Sequence, residues 1–314
     1  MSEKQQFRLG LVGYGEIGST LGKGLREAGL QQIFSYDKYA FNGPYADLIQ
    51  SRAKAAGVTL VKSNKELVDA AELIFSVTPG SASLESADAF AAVLDSRHTF
   101  LDFASATPKV KLGVAERLSK TGALLGDGSI MGTPKNGYSM GMLSSGAAGK
   151  RVADLLVPWG MQIDYVGERL GTASGIKILR SVLIKGIEAL TDEMLLAARF
   201  YGLDEAVLAS ASKTLTRPWM DTVESLTPSG VIHAKRRKEE VEMAAEAVAD
   251  AGIDPIMTRS TAARLRWKEG LGLKEHFNGV VPANYQIAIE AIASKMGAGK
   301  AAQESATTEA GERV

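Results

Sequence analysis

No cysteine occurs in the 314-residue chain, which excludes disulfide frameworks, thiolate metal sites and cysteine nucleophiles. Net charge is absent too: 36 Lys and Arg balance 36 Asp and Glu. That balance argues against a nucleic-acid binder or a polybasic membrane-surface protein. No apolar run is long enough to cross a bilayer, and the polar residues 1–6 run straight into a strand with no hydrophobic signal region. A cytoplasmic enzyme with neither nucleic-acid nor membrane partner is expected. Histidine is scarce, and His98, His233 and His276 stand apart, in neither metal-ligand spacing nor a triad context. They are expected to be structural or exposed, and no metal is required.

What is present is aliphatic content ample for a buried core. Up to residue 170, short β-rich runs alternate with helical stretches. Strands are expected at 7–12, 32–36, 58–61, 73–77, 99–103, 124–130 and 161–166, with helical runs such as 19–28, 65–71, 109–120 and 148–156. Gly29, Gly57, Gly122 and Gly160 sit where helix C-caps belong. This alternation predicts a mostly parallel, doubly wound α/β sheet of the Rossmann kind over residues 1–170. From residue 171 only helical stretches follow, broken at Gly202, Pro218, Pro228, Gly252 and Pro255. The first, 174–201, is long and apolar on more than one face, which suits the middle of a helical domain or a dimer core. An all-α substrate and dimerisation domain is therefore expected over 171–296, with a homodimer as the assembly. Residues 297–314 read as a mobile tail.

The first expected strand ends in Gly13-Tyr14-Gly15-Glu16-Ile17-Gly18, a GxGxxG sequence that opens a helix. A second strand ends at Asp37, nineteen positions after Gly18. Those are the contexts a dinucleotide fingerprint requires. Gly13 permits the tight turn, Gly15 lets the backbone approach a pyrophosphate, and Gly18 allows close helix–strand packing. Asp37 is placed to accept from the adenosine ribose hydroxyls and disfavours a 2′-phosphate, which points to NAD. Lys38 beside it leaves NADP open. Thr78 and Pro79 after the fourth strand, and Ser105 after the fifth, fall on the same sheet edge, with Ser105 expected nearer the nicotinamide.

These residues resemble the β-hydroxyacid dehydrogenase superfamily, which includes 6-phosphogluconate dehydrogenase and 3-hydroxyisobutyrate dehydrogenase. The likeness spans about residues 7–265. Besides the glycine turn, Asp127-Gly128-Ser129-Ile130-Met131-Gly132 resembles the family's substrate segment, and Gly171-Thr172-Ala173-Ser174-Gly175-Ile176-Lys177 its catalytic segment. The resemblance implies substrate contacts at Ser129, Met131, Gly132 and Lys177. Two positions depart from the family pattern: Ser181 stands where an asparagine is usual, and Met131 where a serine is. The helix around Arg236 is similar to a sparsely characterised branch related to 6-phosphogluconate dehydrogenase. There, Glu239-Glu240 replaces a Lys-Asp pair, and Arg236 is a candidate partner for an acidic substrate, or part of a solvated basic face.

Oxidising an alcohol needs a hydride acceptor and a base at the hydroxyl. Lys177 is suited to be that base, since burial and the positive end of a helix dipole both disfavour its ammonium form. Ser181 lies one turn away at i+4. The expected activity is NAD(P)-dependent interconversion of a small hydroxy acid, or a related alcohol, with its carbonyl, Lys177 acting as general acid/base. Imine reduction and non-catalytic NAD binding are the alternatives.

Overall fold

The computed structural model describes residues 6–296, so the expected tail at 297–314 lies outside the described residues. The chain divides into two compact units, residues 1–183 and 184–314.

The first unit is built on β1 (Arg8–Val12), α1 (Glu16–Glu27), β2 (Gln32–Tyr36), α2 (Ala46–Ala56), β3 (Thr59–Val61), α3 (Asn64–Ala70), β4 (Leu73–Ser76), α4 (Ser83–Ala91), β5 (Thr99–Asp102), α5 (Pro108–Leu118), β6 (Leu124–Ile130), β7 (Met142–Ser145), α6 (Gly146–Leu156) and β8 (Ile163–Tyr165). The eight strands form one sheet in the order β3-β2-β1-β4-β5-β6-β7-β8. β1 to β6 pair in parallel, β7 is antiparallel to β6, and β8 is parallel to β7. The sheet is thus mostly parallel, as expected, with β7 an additional strand that reverses direction.

Burial on both faces explains why the central strands read as continuous apolar runs: every residue of β4 and β5 is buried. One core gathers Leu9, Leu11, Leu21, Leu25, Phe75 and Trp159, the other Ile74, Phe90, Phe100, Val114 and Leu118. Consecutive residues Ile74 and Phe75 fall in opposite cores because side chains alternate across a strand. The chain order reverses between β1 and β4, and in sheets of this kind ligands bind at the carboxyl ends of the strands at such a reversal.

The second unit contains α8 (Asp204–Leu215), α9 (Trp219–Ile232), α10 (Ala234–Asp250), α11 (Ile256–Glu269), α12 (Leu273–His276) and α13 (Tyr285–Lys295). The helix α7 (Thr172–Tyr201) precedes them, and the boundary between the units falls inside it. The division at 183/184 falls within α7, whose first turn is hydrogen-bonded to Asp127 of β6 and Ser145 of β7. Pro228 was expected to break a helix, yet α9 runs through it. In the turn around it, Ser229 Oγ donates to the Ser225 carbonyl and Arg237 Nη1 to that of Leu226. Val231, Ile232, Leu273, Ala288 and Ile292 form this unit's core. Within the same unit Glu193 caps α11, accepting from the Met257 and Thr258 N–H groups at 2.8 and 2.9 Å. Among the described residues, no helix is long and apolar enough to cross a membrane.

Candidate active site

The glycine turn behaves as its spacing predicts. Gly13 adopts a φ of +98° and donates its N–H to the Tyr36 carbonyl at 2.7 Å, fastening the turn to the end of β2. A Cβ on Gly18 would stand 2.2 Å from the Gly13 carbonyl oxygen, so only glycine lets α1 close on the turn. A Cβ on Gly15 would meet nothing within 4 Å. That open side is where a ligand can approach the backbone. Gly15 is also the N-cap of α1 and provides no side-chain hydrogen bond, which leaves the first amide groups available to an anion.

A groove of about 770 Å³ runs along this edge. Of the expected cofactor residues, Gly13, Gly15, Glu16, Ile17, Asp37, Lys38, Thr78 and Pro79 line it. Tyr14 does not. Its ring is fully buried in the core, its hydroxyl is pushed up to about 12 by burial, and only its backbone serves the turn. Asp37 is more occupied than expected: Oδ2 accepts the Tyr14 N–H at 2.8 Å and Oδ1 the Tyr39 N–H at 2.9 Å. The carboxylate braces two loops before it meets any ligand. Lys38 lies over the Tyr39 ring, 5.1 Å from its centroid. Arg52, from α2, lines the groove and has no hydrogen bond or ion pair among the described residues. Asn64 and Ser86 also line it, and their buried Oδ1 and Oγ atoms lack hydrogen-bond partners. An elongated polar ligand with phosphate and hydroxyl groups matches this set of free donors and acceptors.

Ile17, Val77, Thr78 and Pro79 continue from the groove into a cavity of about 240 Å³, completed by Gly80, Phe103, Ser105, Ile130, Gly132 and Lys177. Two loops meet there so closely that a Cβ on Gly80 would lie 1.9 Å from the Ser105 carbonyl oxygen. Lys177 Nζ donates to Ser105 Oγ at 2.7 Å. Burial, and secondarily the positive charge of Lys111, push the Lys177 amine below the ordinary lysine range. Ser181 sits one turn further on, but its hydroxyl donates to the Lys177 carbonyl at 2.8 Å, so it is committed to its own helix.

Of the three residues expected to contact substrate in the segment that runs on from β6, Gly132 lines the cavity and Ser129 and Met131 do not. Ile130 and Gly132 line the cavity, whereas Ser129 is buried with its hydroxyl unpartnered, because neighbouring strand residues face opposite sides. Met131 is absent from the cavity lining, and its N–H donates to the Gly141 carbonyl at 2.8 Å. Arg236 belongs to the second unit, where it is exposed and paired with Glu240 at 2.5 Å, a solvated ion pair within α10.

One group was missed entirely. Lys111 is 3 % exposed, with its Nζ 3.0 Å from Asp102 Oδ2 and 3.5 Å from Asp127 Oδ1. The signal was available in the sequence, since Lys111, Val114 and Leu118 share one buried stripe of α5 at helical spacing.

Residues 198–268 match the family described as Domain of unknown function (DUF1932). The solved structure of MTH1747, a protein of unknown function described as structurally similar to 3-hydroxyacid dehydrogenases, is 26% identical, with a TM-score of 0.58. That match covers 87% of this chain and 99% of MTH1747. The chain has a 3-hydroxyacid dehydrogenase-like fold. An imine reductase from Bacillus cereus shares the fold of this chain with a TM-score of 0.73 at 16% identity, covering 90% of this chain and 98% of that one. A reductive aminase from Aspergillus terreus, solved with NADPH4, cyclohexanone and allyl amine, matches at a TM-score of 0.68 and 17% identity. It covers 90% of this chain and 99% of its own.

Proposed function

We propose that this 3-hydroxyacid dehydrogenase-like protein is an NAD(P)-dependent oxidoreductase acting on a small hydroxy acid or a related alcohol or carbonyl compound, with Lys177 as general acid/base. The observation that carries the reading is the Lys177–Ser105 hydrogen bond at the cavity that continues from the glycine-turn groove. The groove residues fit a dinucleotide: open space at Gly15, free α1 amide groups, and the unpartnered Asn64 and Ser86 atoms. When bound, a nicotinamide supplies hydride acceptor or donor chemistry at the cavity end.

The chain's own residues supply the rest. Phe103, Val77 and Ile130 make part of the cavity wall apolar. Lys177, half-buried and with its ammonium disfavoured, takes the alcohol proton in oxidation and returns it to the carbonyl oxygen in reduction. Ser105 Oγ accepts from the amine at the cavity and provides a hydroxyl within reach of a substrate oxygen. Both nicotinamide dinucleotides suit the groove, since Asp37 is tied to two backbone amides while Lys38 and Arg52 lie nearby without carboxylate partners.

Reduction of C=N bonds is the second reading, favoured by the fold shared with the imine reductase and the reductive aminase. A protonated Lys177 serves there as the proton source to nitrogen. The assembly proposed is a homodimer joined through α7, whose Leu179 and Val182 side chains are 73% and 72% exposed. Turnover of a panel of hydroxy acids and imines with each cofactor, for wild type and Lys177→Ala, tests the reading. Turnover of hydroxy acids that is lost in the variant supports it. Cofactor binding without turnover of any compound overturns it.

A further inference from the structure

Under the cavity lies a set of charges that water does not reach. Asp102, Lys111 and Asp127 are 2%, 3% and 1% exposed. We propose that Lys111 is a positioning residue that ties together the two carboxylates from which Ser105 and Lys177 hang. This inference rests on reading Lys177 as the proton-carrying group.

The connections can be followed atom by atom. Lys111 Nζ donates to the Asp102 carbonyl at 2.6 Å and pairs with its Oδ2 at 3.0 Å. The other carboxylate oxygen of Asp102, Oδ1, accepts the Ala104 N–H at 3.0 Å, which fixes the loop that presents Ser105. On the other side Lys111 Nζ faces Asp127 Oδ1 at 3.5 Å. Asp127 Oδ2 accepts the Ser174 N–H at 2.8 Å and the Ser145 hydroxyl at 3.4 Å, and Ser145 Oγ in turn accepts the Ala173 N–H at 3.2 Å. A carboxylate thus holds the first turn of α7, where free amide groups favour negative charge. Lys177 follows Ser174 by three residues, on the same face one turn later. Both ends of the Lys177–Ser105 hydrogen bond are therefore anchored, through one residue each, to acids that share the Lys111 ammonium.

Charge adds to geometry. Buried carboxylates persist only when paired, and Lys111 opposes the upward push that burial exerts on the Asp127 carboxyl. The same ammonium, acting alongside burial, disfavours a second positive charge on Lys177. A Lys111 that only filled the core would leave the proton affinity of Lys177 untouched.

The test is trace labelling of amines with acetic anhydride as a function of pH, read peptide by peptide by mass spectrometry on the full-length protein without substrate or cofactor. In wild type, Lys177 labels as a neutral amine at lower pH in the folded protein than in the urea-unfolded protein. In Lys111→Met, and in Lys111→Met/Asp127→Asn, where the amide oxygen still accepts from Ser174 and one buried acid is removed, the Lys177 half-point moves up toward that of the unfolded protein. Turnover falls on the order of 10- to 100-fold, as expected for a misplaced catalytic group. A Lys177 half-point unmoved in a variant with native circular dichroism overturns the proposal. So does a wild-type Lys177 with the same half-point in the folded and the unfolded protein, whether or not the variants fold. Because labelling needs no turnover, a failed oxidoreductase reading leaves this result interpretable on its own.

Discussion

Lys177 Nζ donates to Ser105 Oγ across 2.7 Å, joining residues 72 positions apart in sequence. Removing the amine by Lys177→Ala is expected to lower kcat by about 10²- to 10⁴-fold, the usual contribution of general acid–base catalysis. Ser105→Ala, which frees the amine without deleting it, is expected to cost about tenfold by the same reasoning. Steady-state kinetics alongside dinucleotide titrations check both, since cofactor affinity is expected to be retained in each variant.

The pH dependence follows from the direction of the Lys177 shift. Its amine is pushed down by burial and by Lys111, so the neutral, base-competent form is reached below the ordinary lysine value of about 10.4. Oxidation therefore rises with pH and levels off before an exposed lysine would deprotonate. Reduction, which consumes the ammonium, falls over the same interval. Profiles of kcat in both directions, compared with a flat profile in Lys177→Ala, provide the check.

Gly80 makes a sharper steric prediction. Its substitution by alanine places a Cβ 1.9 Å from the Ser105 carbonyl oxygen, a backbone atom that moves only with its loop. Gly80→Ala is expected to destabilise the protein by about 1–3 kcal/mol, the range for overpacking, and to lower kcat much as Ser105→Ala does. Thermal denaturation and turnover measured on the same preparation separate the two effects.

Cofactor choice is expected to depend on α2 as well as on β2. Arg52→Gln removes a guanidinium that lines the groove without a carboxylate partner, and should weaken NADPH by about tenfold while leaving NADH nearly unchanged. Asp37→Ala should weaken both, because it releases the Tyr14 and Tyr39 amides that shape the groove. Calorimetric titration of each dinucleotide gives the comparison.

The assembly prediction concerns α7. Leu179→Lys combined with Val182→Lys puts charge on two side chains that are 73% and 72% exposed. Sedimentation velocity is expected to show a dimer in wild type and a monomer in the double variant. A wild-type monomer with full activity contradicts the proposed dimer.

Much of the groove was legible because its residues act through backbone properties that the sequence states outright. Gly13 needs a positive φ, Gly18 needs to lack a Cβ, and both needs are visible as glycine. Strand ends carrying Thr78 and Ser105 were placed correctly because buried parallel strands are continuous apolar runs. Register was less legible. A one-residue difference moved the cavity-facing role from Ser129 to Ile130, and nothing in a short run with glycines on both sides fixes which side faces inward. The short strand β7 was missed for a related reason: Met-Leu-Ser-Ser is too brief and too polar to announce itself. The apolar stripe that carries Lys111 was legible but its burial was not, since a lysine there usually snorkels to solvent and its two carboxylate partners come from separate strands.

A crystal structure of the protein with a nicotinamide dinucleotide bound tests the role of Lys177 at its source. The pyrophosphate is expected at the Gly15 edge of α1 and the nicotinamide ring in the cavity lined by Pro79, Ile130 and Gly132, its C4 face toward Lys177. A ring placed elsewhere, or one with the Lys177 amine turned away from it, would contradict the assignment of Lys177 as the proton-transferring group.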